Sequence, residues 1–190
     1  MSSHHVVREK QEPALLVLGL DGFQDELLGQ LLEWSPTVIA THETAEKLIS
    51  MGIKIDWVIS DGDDEDLQSD VKLMSYGDDN VADAALKHLV SDAYPSVNII
   101  TDEFNLGDYD RFADKINLVI FYDHKKIYPV TPGFSKWKTG GETIEILSRV
   151  KDLEFTGLEK INDQQYKTTK DGIFSLRFDG LFLLIAEAAP

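Results

Sequence analysis

Two rhythms of apolar and polar positions divide this chain. Up to about residue 125, short apolar runs alternate with segments whose apolar positions recur every three or four residues; beyond it only short runs separated by turn residues remain. Runs of strand length predict buried strands, and three-to-four spacing predicts amphipathic helices. Ala14 to Leu20, Thr37 to Thr41, Asp56 to Ser60, Val71 to Met74, Val97 to Thr101 and Leu118 to Tyr122 therefore read as strands. Glu26 to Leu32, Glu43 to Met51 and Val81 to Val90 read as helices, with a weaker one over Tyr109 to Lys115. Gly52 is placed to end the second helix, and Asp79 or Asn80 to cap the third. This alternation predicts an α/β fold: an N-terminal open, mostly parallel, Rossmann-like sheet with helices on both faces.

From Lys126 onward the pattern predicts a small antiparallel β domain, with strands at Lys126 to Val130, Thr143 to Leu147, Leu153 to Thr156, Gln165 to Thr168, Ile173 to Phe178 and Leu181 to Ala186. Asp171-Gly172 and Asp179-Gly180 read as hairpin turns, and Pro132-Gly133 and Gly140-Gly141 as breaks between strands. Trp137, between two lysines, reads as part of a polar loop. The expected division is thus 12–125 for the α/β domain and 126–190 for the β domain.

Charge narrows the range of partners. Eighteen Lys and Arg against 34 Asp and Glu give a net charge of −16 over 190 residues. So negative a field opposes nucleic acid and anionic membrane surfaces, and it repels a nucleotide unless a metal ion or local basic residues intervene. The absence of cysteine excludes disulfides and thiolate zinc sites and suits a reducing compartment. The first twelve residues are polar, lack the apolar stretch of a signal peptide, and carry His4-His5, expected to be part of a leader rather than ligands. A cytoplasmic location is the expectation.

The densest chemical signal is Ser60-Asp61-Gly62-Asp63-Asp64-Glu65-Asp66, directly after the run Trp57-Val58-Ile59. Ligands of open α/β sheets bind at the carboxyl ends of strands, and carboxylates crowded there suit a hard divalent cation carrying phosphates. Gly62 permits a tight turn that lets Asp61 and Asp63 converge on one ion. Asp83, in the first turn of a predicted helix, is a further candidate, although its charge also suits the helix dipole. His42, directly after the second strand, is a candidate base or phosphate contact. No Walker A loop or dinucleotide glycine turn is present, since Leu18-Gly19-Leu20-Asp21-Gly22 lacks both the third glycine and the lysine.

Over about Ala14 to Ala186 the layout resembles the thiamine pyrophosphokinase family. The stretch from Val38 through His42-Glu43-Thr44 to Gly52-Ile53-Lys54-Ile55-Asp56 and Ser60-Asp61-Gly62-Asp63 is similar to that family's Asp-Gly-Gly turn, Gly-x-x-Pro-Asp and Gly-Asp-Phe-Asp-Ser series. Asp61 and Asp63 match the two aspartates of the last motif, and Asp83 matches the acid of the following Thr-Asp. Gly141 to Leu147, Thr156-Gly157-Leu158 and Gly172 to Ser175 resemble the signatures of the family's β domain. The resemblance implies transfer of pyrophosphate from ATP to thiamine's hydroxyl with release of AMP. It also implies Mg2+ as cofactor, ATP as co-substrate, and a homodimer whose partner completes the thiamine cleft.

By the same resemblance Asp61, Asp63 and Asp83 are the catalytic and metal-binding residues, and Asp110, Arg111 and Ser175 join His42 and Trp137, whose ring offers a stacking surface for a flat or cationic heterocycle, as expected substrate contacts. The departures are specific. His42-Glu43-Thr44 replaces the Asp-Gly-Gly turn; Gly107-Asp108-Tyr109-Asp110-Arg111 is a loose match to Gly-Arg-x-Asp-His; Ser175-Leu176-Arg177 keeps one residue of Ser-Asn-Glu. Two alternatives stand beside thiamine: pyrophosphate transfer to another hydroxylated heterocycle such as a hydroxymethylpterin, or a ligand-binding paralogue without catalysis.

Overall fold

The computed structural model describes residues 12–62 and 70–190, and the chain divides into two compact units, 1–102 and 103–190. The change of rhythm near residue 125 falls inside the second unit, at a tight turn between two strands.

In the first unit β1 (Ala14–Val17), β2 (Val38–Thr41), β3 (Trp57–Ile59), β4 (Lys72–Met74) and β5 (Ser96–Ile100) pair in parallel in the order β5-β1-β2-β3-β4. Between them run α1 (Asp25–Leu32), α2 (His42–Ser50) and α3 (Val81–Ser91). Every β1 side chain is buried, as a central strand covered on both faces requires. Leu15 and Val17 pack with Leu28 of α1 and with Ala45 and Leu48 of α2, whereas Ala14 and Leu16 point to the opposite face. Because parallel crossovers are right-handed, and the chain reverses direction across the sheet between β4 and β5, α3 covers that opposite face.

β2 runs straight into α2, so the helix needs a cap from the strand's last residue. Thr41 and Thr44 provide it reciprocally: Thr44 N donates to Thr41 Oγ1 over 3.1 Å and Thr41 N to Thr44 Oγ1 over 3.0 Å. The buried Thr44 hydroxyl also donates to the Val17 carbonyl over 2.8 Å, tying the helix start to the end of β1.

The second unit begins with α4 (Leu106–Tyr109) and a 3-10 turn over Asp110–Phe112, where a helix over 109–115 was expected. Asn105 starts α4 early by accepting from Gly107 N over 3.1 Å. Eleven residues on, the β structure follows: β6 (Asn117–Tyr122), β7 (Lys125–Val130), β8 (Phe134–Lys138), β9 (Thr143–Ile146), β10 (Lys151–Thr156), β11 (Leu158–Lys160), β12 (Gln165–Thr168), β13 (Gly172–Asp179) and β14 (Leu183–Ala188). Here β11-β12-β9-β14-β7-β6 follow in one antiparallel order and β10-β13-β8 form a separate small sheet. Val130, Ile144, Ile146 and Ile185 from the first pack against Phe174, Leu176 and Phe178 from the second.

Two expectations are corrected. Asp171-Gly172 and Asp179-Gly180 are not hairpin turns, because β12 and β14 belong to one sheet and β13 to the other; the chain crosses between sheets at both. Trp137 lies in strand β8, not in a loop. Its strand carries lysines on the inner side, which hides the alternation of a half-buried strand.

The β6–β7 hairpin, with Tyr122 opposite Lys125, turns on Asp123 and His124 alone. Both have positive φ, 48° and 58°, as a type I′ turn demands. A left-handed non-glycine residue costs about 1–2 kcal/mol. His124→Gly is therefore expected to raise the second unit's stability by about 1 kcal/mol. A urea midpoint that stays put or falls would show that the turn carries no such strain.

Candidate active site

Strand order places the carboxyl ends of β1 to β5 along one edge of the first unit's sheet. The order reverses between β1 and β5, and the crevice at such a switch point is the usual ligand position in open α/β sheets. Two chain segments converge there. Leu18 N and Gly19 N both donate to the Ile100 carbonyl, over 2.8 and 3.3 Å, and Asp21 N donates to Asp102 Oδ1 and Oδ2 over 2.9 and 3.1 Å. Lys47 Nζ reaches back from α2 to Asp21 Oδ1 at 2.9 Å. That hydrogen bond, reinforced by the charge of Asp21, holds the Lys47 ammonium above the usual lysine range.

Asp61 stands at the carboxyl end of β3, as the sequence predicts. Its Oδ1 accepts three hydrogen bonds from the loop after β4: Ser75 Oγ at 2.5 Å, Tyr76 N at 2.8 Å and Gly77 N at 3.2 Å. The Ser75 hydroxyl, followed by the two amides, keeps this carboxyl below the ordinary aspartate range, so it is ionised at neutral pH. Its Oδ2 receives no hydrogen bond among the described residues. One oxygen thus fixes the side chain and the other is left open to a further partner.

The same loop leads into α3, whose cap Asn80 accepts from Asp83 N over 2.8 Å. Asp83 occupies the first turn at this end of the sheet, and it is buried, at 5% exposure. His42 opens α2 at the end of β2, with Nε2 3.9 Å from Glu46 Oε1 and more than half its side chain exposed. Asp63 lies outside the described residues. Among the described residues no group of three histidine, aspartate or glutamate side chains converges as a metal site.

The remaining expected contacts belong to the second unit. Asp110 and Arg111 form the 3-10 turn before β6, both exposed, with the guanidinium 5.4 Å from the Phe112 ring. Trp137 and Ser175 share a face. Trp137 is opposite Ile173 and Ser135 is opposite Ser175 in the β8–β13 pairing, and residues two apart on a strand point the same way. On this outward side Trp137 is 60% and Ile173 67% exposed, and Ser175 Oγ is 2.7 Å from Thr156 Oγ1 of β10.

Sequence reasoning missed Lys47 and Asp102. The only signal at Asp102 was a charged residue just beyond a strand, which acquires meaning once β5 is known to lie beside β1; Lys47, inside α2, offered none.

No family model matches the sequence, and no curated protein matches it. Solved structures do. Thiamine pyrophosphokinase from Bacillus subtilis superposes with a TM-score of 0.64 at 14% identity, covering 94% of this chain and 100% of that one. Yeast thiamin pyrophosphokinase gives 0.67 at 9% identity, covering 96% of this chain and 88% of that one. A protein from Lactobacillus plantarum gives 0.70 at 12% identity over 94% of this chain and 99% of its own. This chain has the fold of the thiamine pyrophosphokinases of known structure.

Proposed function

We propose that this protein is a divergent thiamine pyrophosphokinase, transferring pyrophosphate from ATP to the hydroxyl of thiamine and releasing AMP. The observation that carries this reading is Asp61: an ionised carboxylate fixed at a strand's carboxyl end through one oxygen, with the other open. Such a hard, anionic, pre-positioned oxygen fits Mg2+. Asp61 and Asp63 would hold the ion and Asp83 would support them from the start of α3. Mg2+ would neutralise charge on the transferred phosphates.

The protein's own groups have separate tasks in this reading. Lys47, paired with Asp21 at the switch point, would turn its ammonium to a phosphate there, where the −16 chain otherwise repels a nucleotide. His42 stands at the adjacent strand end for a phosphate. In the second unit the face of Trp137, Ile173 and Ser175 would take the thiamine ring by stacking and hydrogen bonding, with Asp110 and Arg111 as further substrate contacts. The reading includes a cytoplasmic homodimer.

Incubation with thiamine, ATP and Mg2+ is expected to yield AMP and thiamine diphosphate in equal amounts, with EDTA abolishing both. Asp61→Asn is expected to slow the reaction about 10²-fold while the fold is retained. Neither product at high enzyme concentration sinks the proposal, and ADP in place of AMP would mark a simple kinase.

A second acceptor is favoured by one feature of the same outward face, where Glu154 and Arg177 are paired across β10 and β13. They offer donors and an acceptor to a polar heterocycle such as a hydroxymethylpterin. AMP release with that alcohol and not with thiamine would select this reading.

A further inference from the structure

A groove of about 330 Å³ lies wholly within the second unit, and its composition is unusual for so acidic a chain. Lys126 and Tyr128 of β7 and Phe134 and Lys136 of β8 line it, together with Leu118 and Pro129. β8 is the edge strand of the small sheet, and its inner side chains stand over β7: Lys136 Nζ is 3.1 Å from Tyr128 Oη, and the rings of Tyr128 and Phe134 meet edge to face at 6.3 Å. The volume suits a small organic molecule.

The two lysines differ in their partners. Glu187, directly opposite Lys126 in the β7–β14 register, would be that residue's natural counterion. Its carboxylate is instead taken by Lys136 at Oε1 and by Lys138 at Oε2, the latter at 2.9 Å. The nearby Glu145 is paired with Lys125 at 3.0 Å and Glu142 with Lys138 at 2.8 Å. Lys126 makes no ion pair among the described residues; its ammonium lies 5.9 Å from the Tyr128 ring. Tyr128 itself stays neutral, because burial and then the Glu187 charge push its hydroxyl above the ordinary tyrosine range. An uncompensated cation therefore stands beside an aromatic and aliphatic wall.

We propose that this groove binds a small organic anion with a flat apolar body, the anionic group meeting Lys126 and the body lying against Phe134, Tyr128 and Pro129. The inference is independent of the proposed transfer reaction, since none of the groove's residues is used in it. Glu187, the carboxylate opposite Lys126, is already neutralised by other lysines, so an incoming anion meets local attraction within a globally repulsive field. Lys136 cannot replace Lys126 in this role without giving up the buried Glu187.

Titration of 15N-labelled protein with phenyl phosphate, benzoate, inorganic phosphate and benzylamine tests the proposal. Phenyl phosphate and benzoate are expected to shift the amides of Lys126, Tyr128 and Phe134 saturably. Lys126→Gln is expected to weaken both about tenfold or more, while keeping the wild-type thermal transition. Asp61→Asn is expected to leave this binding unchanged, which separates it from the strand-end site. The proposal is overturned by the absence of saturable shifts at about 10 mM aryl anion, by equal binding to Lys126→Gln, by equal binding of benzylamine, or by inorganic phosphate binding as tightly as phenyl phosphate.

Discussion

Glu187→Gln is expected to lower the unfolding free energy of the second unit by about 3 kcal/mol. The carboxylate is buried, at 5% exposure, and it sits between Lys136 and Lys138, the second of which is itself largely shielded at 16%. Removing the buried charge leaves Lys136 without a carboxylate and Lys138 with Glu142 alone, and that cost exceeds the net worth of the original pair. Burial alone would push the Glu187 carboxyl up, but the hydrogen bonds and charges of the two lysines outweigh it and hold the group below the ordinary glutamate range. A depressed folded-state value means that the contribution is present above the unfolded value near 4.5 and is lost as pH falls through the folded one. Tyr128 works in the opposite sense: its raised value means stability that is complete below about pH 10 and lost as pH rises beyond it.

Trp137 is the single tryptophan of the second unit, so its fluorescence in urea reports these changes. Glu187→Gln should also flatten the acid limb of the stability profile. A variant within about 0.5 kcal/mol of wild type, the range of ordinary surface changes, would mean that the two lysines find other partners at no cost.

Gly19→Ala is expected to destabilise the first unit by about 3 kcal/mol, through overpacking and a lost charge-assisted hydrogen bond. A Cβ on Gly19 would lie 2.2 Å from Asp102 Oδ2 and 2.7 Å from Asp102 N. The side chain of Asp102 can turn away only by releasing Asp21 N, and the backbone nitrogen has no such freedom, because the end of β1 is bonded to the end of β5 at the Ile100 carbonyl. Glycine is thus required for the close approach of two strand ends that forms the switch-point crevice. In the double variant Gly19→Ala with Asp102→Ala the backbone clash persists, so recovery should be incomplete. Full recovery of the denaturation midpoint would place the whole effect in the carboxylate.

The sequence by itself determined the elements whose burial is total or strictly periodic. β1 and β2 are apolar because both faces of a central strand leave water, β5 and β6 carry apolar residues at their buried positions, and α3 shows three-to-four spacing because one of its faces leaves water. Asp61 was legible for a local reason: a carboxylate following an apolar run of strand length must stand at that strand's end. β8 was not legible. Its inward positions include Lys136 and Lys138, acceptable there because Glu187, 51 residues from Lys136, pairs with both and Glu142 supplies the second negative charge. The hairpin expected at Asp171-Gly172 failed similarly, since a turn sequence specifies a local reversal and not which sheet receives the next strand.

Tertiary structure alone decided which strand ends became neighbours. Asp21 and Asp102 are 81 residues apart and meet only because β5 returns to the far side of β1. Lys126 lacks a carboxylate for a comparable reason: the register supplies Glu187 opposite it, but the second sheet brings two other lysines to that acid first. Periodicity records how much of each residue leaves water, whereas pairing between distant charges depends on strand order and sheet stacking, which local spacing does not encode.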